Sequence, residues 1–319
     1  MAAAKQTGEA KRILCIGMPV RDLIYRIQIL PERGEKVRAE HFVELAGGTA
    51  LNASVGIARL GGRVLFSGPT GDAAETTSAY IFEQVAKEGI STNVVHVPGT
   101  VTPISNVMID PSGERTVVTF RDPKLWNVTL PDTDTLLDGC DAVLTENRCA
   151  SFVTELCVEA SRRGIPVVLD ADVVMSPREG LLAASSHIIF STEALTATAG
   201  TSDLEAALRR IAEQTSSFVA VTRGAQGMTW LDASGQAQTM PTFPVHTVDT
   251  LGAGDVFHGA FALAIAEGMA IPDAMRFASA AAALKCTRFG GAFAAPTRPE
   301  VEALLAQKPL TASAKATVR

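Results

Sequence analysis

Along the chain, short runs of consecutive apolar residues alternate with longer stretches whose apolar positions recur at helical spacing. The runs RILCIG (12–17), RVLFSG (63–68), DAVLT (141–145), PVVLD (166–170), HIIFS (187–191) and FVAVT (218–222) are apolar almost throughout. A strand with one wet face alternates, whereas a strand covered on both faces does not, so these runs predict a parallel sheet flanked by helices. Helical spacing falls at Ala50–Leu60, Ser78–Glu88, Ser151–Arg163, Asp203–Gln214 and Ile271–Lys285, between strands as a βαβ alternation requires. Two segments break the rhythm, about 22–45 and 103–120. In the second, SNVMIDPSGERTVVTF surrounds a Pro-Ser-Gly turn with strand-like residues and no helix. The predicted fold is α/β, a doubly wound and mostly parallel sheet. The two hairpin segments form a small antiparallel β-sheet lid over the C-terminal strand edge, where open α/β sheets bind ligands. The expected organisation is one domain over 1–319 with both lid segments inserted in its core. The terminal TASAKATVR is small and polar and reads as a frayed end.

Composition narrows the function classes. The 319 residues carry a net charge of −6 and no run of lysines or arginines, so the electrostatic footprint of a nucleic-acid or acidic-membrane partner is missing. The N-terminal MAAAKQTGEAKR has no apolar signal core, and no apolar stretch is long enough to cross a bilayer; a cytoplasmic location is expected. Cys15, Cys140, Cys149, Cys157 and Cys286 are scattered, without C-x-x-C spacing, and read as reduced, mostly buried thiols.

The densest chemistry is VDTLGAGDVFHGAF, Val248 to Phe261. It offers an acid (Asp249), a hydroxyl (Thr250), the small run Gly252, Ala253 and Gly254, and then Asp255 at the mouth of an apolar helix. Small residues there let backbone N–H groups approach a ligand, and the helix end adds positive potential, which together make an anion hole. Such donors suit a phosphoryl group in transfer, and Asp255 beside them can accept the proton of an attacking hydroxyl. Taken alone, the same residues also fit a tight turn with an N-cap. The Walker A string and the protein-kinase signatures are absent, so phosphoryl transfer would use another architecture.

With DTLGAGD and FHGAFA in place, the chain resembles the PfkB, or ribokinase-like, carbohydrate kinases. AGGTALNASVGIARLGG (46–62) is similar to the first signature of that family, and GERTVV, VTRGAQG and CTRFGGAFAAP follow in family order, spanning roughly 12 to 305. The resemblance implies ATP with Mg2+ as donor, a sugar hydroxymethyl group as acceptor, and a lid that pairs two subunits into a homodimer. It makes Asp255 the catalytic base and Gly252, Ala253 and Gly254 the anion hole. Thr222, Gly224 and Gly227 would line the nucleotide, and Asp22, Gly47, Gly48 and Asn52 the sugar. A monovalent cation, K+, would sit at Asp249 with carbonyls of the loop 287–291. The family motif N-x-x-E falls on FSTEAL, which leaves Glu193 to act on Mg2+ from a distance and puts Phe190 in the asparagine position.

For the acceptor, DVFHGA, RFAS, ALKCTR with its following Gly-Gly, VLD and Arg148 in VLTENRC are most similar to the sulfofructose kinases of that family. The expected substrate is therefore an anionic ketose such as 6-deoxy-6-sulfofructose, with Arg148 pairing its charge. Asn52 and Thr119 depart from that pattern. A neutral sugar or sugar acid (fructose, ribose, 2-keto-3-deoxygluconate) is the alternative; a nucleoside kinase or a non-catalytic sugar sensor fits the residues less well. His258 is expected to be a packed helix residue, and Arg148 could instead be an ion-pair partner of Glu146.

Overall fold

The computed structural model describes residues 9–176 and 180–307; the tail TASAKATVR expected to fray lies outside them. The chain opens with β1 (Arg12–Ile16), β2 (Val20–Arg26), β3 (His41–Gly47), α1 (Thr49–Arg59), β4 (Arg63–Thr70), α2 (Thr76–Lys87) and β5 (Ser91–His96). It continues through β6 (Ile104–Ile109), β7 (Arg115–Phe120), α3 (Thr133–Leu137), β8 (Ala142–Glu146), α4 (Ala150–Arg162), β9 (Val167–Ala171), α5 (Gly180–Ala184) and β10 (His187–Ser191). After α6 (Thr192–Ala199) and α7 (Leu204–Ala212) come β11 (Phe218–Thr222), β12 (Met228–Leu231), β13 (Ala237–Met240), α8 (Ala253–Ala266), α9 (Ile271–Cys286) and α10 (Arg298–Gln307).

Nine strands make the main sheet in the order β13-β12-β11-β10-β9-β8-β1-β4-β5. All six predicted strands lie in it, side by side and parallel, and β12 and β13 add an antiparallel edge. The chain leaves β1 toward β4 on one side and returns to β8 on the other, so the switch in strand order, where such sheets bind ligands, falls at β1. One face is covered by a core that includes Leu51, Ile57, Phe261 and Met275, the other by one that includes Val153, Leu156, Leu195 and Ile211. The five predicted helices end within a few residues of those observed. Asp203 caps α7 rather than joining it, its carboxylate accepting from the N–H groups of Glu205 and Ala206.

The lid is a second, four-stranded sheet in the order β3-β2-β6-β7. It was expected to be antiparallel, and within each hairpin it is, but β2 and β6 pair in parallel, so the sheet is mixed. The reason is connectivity: a long crossover through α1, β4, α2 and β5 separates the hairpins and returns the chain in the same direction. Asp110 Oδ1 accepts from Ser112 N at 2.8 Å and so forms the expected Pro-Ser-Gly turn. Strands β5, β12 and β13 and helices α3, α5, α6 and α10 were not anticipated; they are short, edge or weakly periodic elements stabilised by their neighbours.

Helix α8 is buried from Val256 through Ala264, so it must pack on every side. Its close partner is α1: a Cβ on Gly259 would lie 2.5 Å from the Ala53 carbonyl oxygen, and one on Gly56 3.4 Å from Val256 Cα. Gly259→Val should therefore force the two helices apart and cost about 1–3 kcal/mol. Urea denaturation monitored by circular dichroism measures this, and unchanged stability would mean the contact tolerates a side chain.

Candidate active site

The two helices meet where the sequence placed its chemistry. Asn52, on the first turns of α1, donates from Nδ2 to Asp255 Oδ2 at 2.7 Å, although the residues are 203 apart in sequence. Gly252, at φ +76°, is the N-cap of α8, and no side chain caps that end; Ala253 N donates to the Thr250 carbonyl at 3.1 Å, which leaves the N–H groups of Gly254 and Asp255 for a ligand. Gly254 is exposed, with nothing within 4 Å of the space a Cβ would take. Burial raises the pKa of Asp255, while the Asn52 hydrogen bond, His258 and Arg115 draw it back down.

Asp22, on β2, is buried and lies over Gly47, where a Cβ would collide with its carboxylate. Gly48, at φ +99°, passes so close to the Met18 carbonyl that a side chain has no room. Burial pushes the Asp22 carboxyl up to about 7, with the Asp255 charge adding to it and Ser105 and Arg121 opposing it. Ser105 is in turn bonded to Thr119 across β6 and β7, Oγ to Oγ1 at 2.9 Å. Asp22, Gly47, Gly48, Asn52 and the Gly252–Asp255 segment thus form one constellation.

The lid tip closes on that segment. Thr250 Oγ1 donates to the Gly113 carbonyl at 2.9 Å and accepts from Arg115 Nη1 at 3.3 Å. Four charged side chains that bear on this region escaped the sequence reading: Arg115, Arg121, Asp170 and Asp172. The string GERTVV held a signal for the first. Asp170, the penultimate residue of β9, lies directly opposite Glu146 at the end of β8, so parallel register places both acids at the C-terminal strand edge, beside the switch at β1. Glu146 turns inward, its Oε1 2.5 Å from where a Cβ of Gly17 would be. Burial, reinforced by the Asp172 and Asp170 charges, raises the Glu146 pKa to about 8.

Arg148 is committed elsewhere. Its Nε and Nη2 both donate to Asp172 Oδ2, at 3.0 and 2.9 Å, so its partner is Asp172 and not Glu146. His258 is buried in α8 with Nδ1 2.8 Å from the Gly254 carbonyl and 3.1 Å from Asp170 Oδ2, the packed residue expected.

Thr222, Gly224 and Gly227 lie together at the β11–β12 turn, apart from the acceptor constellation. Thr192 Oγ1 donates to the Thr222 carbonyl at 3.1 Å, which ties that turn to α6. Glu193 is exposed in the first turn of α6, whereas Phe190 is wholly buried in the core and offers no oxygen. No group of three or more potential metal ligands is assembled among the described residues. One carboxylate suits Mg2+, which keeps most of its waters and arrives on nucleotide phosphates.

Asp249 departs from its expected role. Its carboxylate accepts from Leu251 N at 2.8 Å, Gly290 N at 3.1 Å and Gly291 N at 3.0 Å, and pairs with Lys285 Nζ at 3.1 Å. The loop expected to offer carbonyls to a cation therefore turns amide N–H groups toward Asp249.

The pfkB family carbohydrate kinase model matches residues 10–298. The chain belongs to the pfkB family of carbohydrate kinases. The kinase is 29% identical to the ribokinase of Bacillus subtilis over 306 residues, 92% of this chain and 99% of that one. A crystal structure from Agrobacterium tumefaciens, provisionally assigned as a ribokinase, is 36% identical with a TM-score of 0.88, covering 94% of this chain and 98% of the other. The Arabidopsis thaliana ribokinase complexed with ribose and ATP is 25% identical with a TM-score of 0.80, covering 93% and 99%. These relatives give the fold as ribokinase-like and the reaction as ATP-dependent phosphoryl transfer to a carbohydrate. They do not support the expected resemblance to sulfofructose kinases.

Because the folded Glu146 keeps its proton to about pH 8 while the unfolded carboxyl ionises at its ordinary pKa, its stabilising effect is complete at acid pH and is lost as pH rises toward 8. Glu146→Gln removes this loss. The variant should gain on wild type by on the order of a few kcal/mol between about pH 5 and about pH 8. Urea melts across that range measure it; a constant difference would show that Glu146 is ionised in the folded protein.

Proposed function

We propose that the kinase transfers the γ-phosphoryl group of ATP to the hydroxymethyl group of a neutral sugar, ribose or a close relative such as fructose. The observation that carries this reading is the polar cluster in which Asn52 bonds Asp255 while Asp22 lies over Gly47. A carboxylate and an amide each bridge hydroxyls well, and a site built on such bonds rejects acceptors that lack them. Gly47 and Gly48 let the backbone close on the sugar. The likeness to ribokinases supports the same choice.

In this reading Asp255 takes the proton of the attacking hydroxyl, and Asn52 orients its carboxylate and keeps its pKa from rising further. The N–H groups of Gly252 and Gly254 hold the oxygens of the phosphoryl group in transfer, whose charge matches the α8 N-terminus, while Ala253 N donates to the Thr250 carbonyl and braces the turn of this anion hole. Thr222, Gly224 and Gly227 line the nucleotide. Glu193 would act on Mg2+ from a distance, and the ion would supply neutralisation of phosphate charge. Arg115 and Thr250 keep the lid hairpin over the site, which excludes water from the transfer.

The anionic acceptor is the weaker reading, because a sulfonate at Arg148 must displace Asp172 from both guanidinium donors. Asp172, which already occupies Arg148, therefore stands against an acceptor charge at that guanidinium. We further propose that the chain is a single cytoplasmic domain that pairs through its lid. Phe42, Val118 and Phe120 are exposed on that sheet and all five cysteines are free thiols, which fit this picture.

Asp255→Asn should lower kcat by about 100- to 10,000-fold, the usual contribution of a positioned base, and leave the nucleotide KM close to wild type. Steady-state kinetics decide it, and equal activity would remove Asp255 from the chemistry. A coupled ADP-release assay over ribose, fructose, 2-keto-3-deoxygluconate, fructose 6-phosphate, sulfofructose and adenosine tests the acceptor. The highest kcat/KM is expected for a neutral sugar, with its KM unchanged in Arg148→Ala. Preference for an anionic ketose, with a large KM rise in that variant, would overturn the neutral reading.

A further inference from the structure

We infer that the ammonium group of Lys285 is a cation built into the chain at Asp249, which takes the place of a bound monovalent ion and frees this kinase from any need for K+. Asp249 and Lys285 are both 0% exposed. Lys285 Nζ donates to the main-chain oxygen of Asp249 at 2.7 Å and lies 3.1 Å from its Oδ2. An ionised carboxylate has about four lone-pair sites. Here four donors reach it, Leu251 N at Oδ1 and Gly290 N, Gly291 N and Lys285 Nζ at Oδ2. A metal ion at this carboxylate would have to displace a buried ammonium and find oxygens where the loop presents N–H groups, so the residues do not fit it.

The position gives the ammonium a task. Asp249 opens the strap that leads through Thr250 and Leu251 to Gly252, the N-cap of α8, while Lys285 lies in the last turn of α9. The strap is also tied to that helix end by Val248 N and Asp249 N, both donating to the Cys286 carbonyl. Lys285 is thus a positioning residue: it fixes the strap, and the strap fixes the free N–H groups of α8. Its effect on rate rests on the reading of Gly252–Gly254 as the anion hole; its effect on stability does not.

The first test uses the wild-type enzyme, assayed for ADP release in tetramethylammonium buffer and in K+ buffer of equal ionic strength. Equal rates are expected, and activation by K+ would overturn the inference. Lys285→Ala should lose roughly 100-fold in kcat, the scale of an ångström of misplacement. K+ or NH4+, but not tetramethylammonium, should restore part of that loss and raise the melting temperature of the variant. Full activity of Lys285→Ala in tetramethylammonium would also overturn the inference. The double variant Asp249→Asn, Lys285→Met carries no buried charge and should ignore K+ and NH4+ in its melting temperature; a response would place a cation on other oxygens and refute it. If Lys285→Ala does not fold, the wild-type salt comparison decides. If no sugar is turned over, the acceptor reading fails, and the melting response of Lys285→Ala still decides for the ammonium.

Discussion

The close crossing of α1 and α8 is the constraint on which the rest of the site depends. Gly259 against the Ala53 carbonyl and Gly56 against Val256 bring the two backbones nearer than side chains would allow. One turn before that contact on each helix lie Asn52 and Asp255, and their 2.7 Å hydrogen bond is a direct result of the spacing. The burial of α8 from Val256 onward then fixes the position of its N-terminus at Gly252, next to Thr250, which the lid tip touches. A packing requirement of the core therefore positions the chemistry.

The electrostatics around this point are built from carboxylates at strand ends. Glu146 and Asp170 face each other near the ends of neighbouring parallel strands, Asp172 follows, and Asp22 comes from the lid sheet. Crowding and burial hold Glu146, Asp170 and Asp22 above their ordinary pKa values. Asp172 accepts from Arg148, and burial raises Asp255 as well, with the Asn52 hydrogen bond opposing the rise. Neighbouring acids with different partners are a common way to keep one carboxylate available as a base while others stay protonated. Asp249 belongs to a separate network, where its charge is fully satisfied by Lys285 and three backbone amides.

The lid adds the third element of the site. Because β2 and β6 run in parallel at its centre, both hairpins extend in register from the sheet edge, and the tip at Gly113 reaches Thr250. The residues after β1 enter this sheet directly, so Asp22 is carried on the lid while Asn52 is carried on the core. In the proposed reading, acceptor binding spans both sheets, an arrangement that would couple sugar contact to lid position.

The sequence by itself determined the fold class, the six central strands, the main helices and both lid hairpins, because burial on two faces leaves a period that any reader of the chain can see. It also determined the segment Gly252–Asp255 and its partners Asp22, Gly47, Gly48 and Asn52, because small residues and acids at helix mouths are local signals. The mixed order of the lid, the pairing of Arg148 with Asp172 and the convergence of Glu146 with Asp170 were decided only by tertiary structure. So was the ammonium at Asp249: Lys285 reads in the sequence as an ordinary residue ending an amphipathic helix, and it becomes an ion-pair partner only when α9 delivers it to a carboxylate 36 positions away. Periodicity reports what each segment must bury. It carries no record of which charged ends the folded chain will bring together, since that depends on strand order and helix crossing.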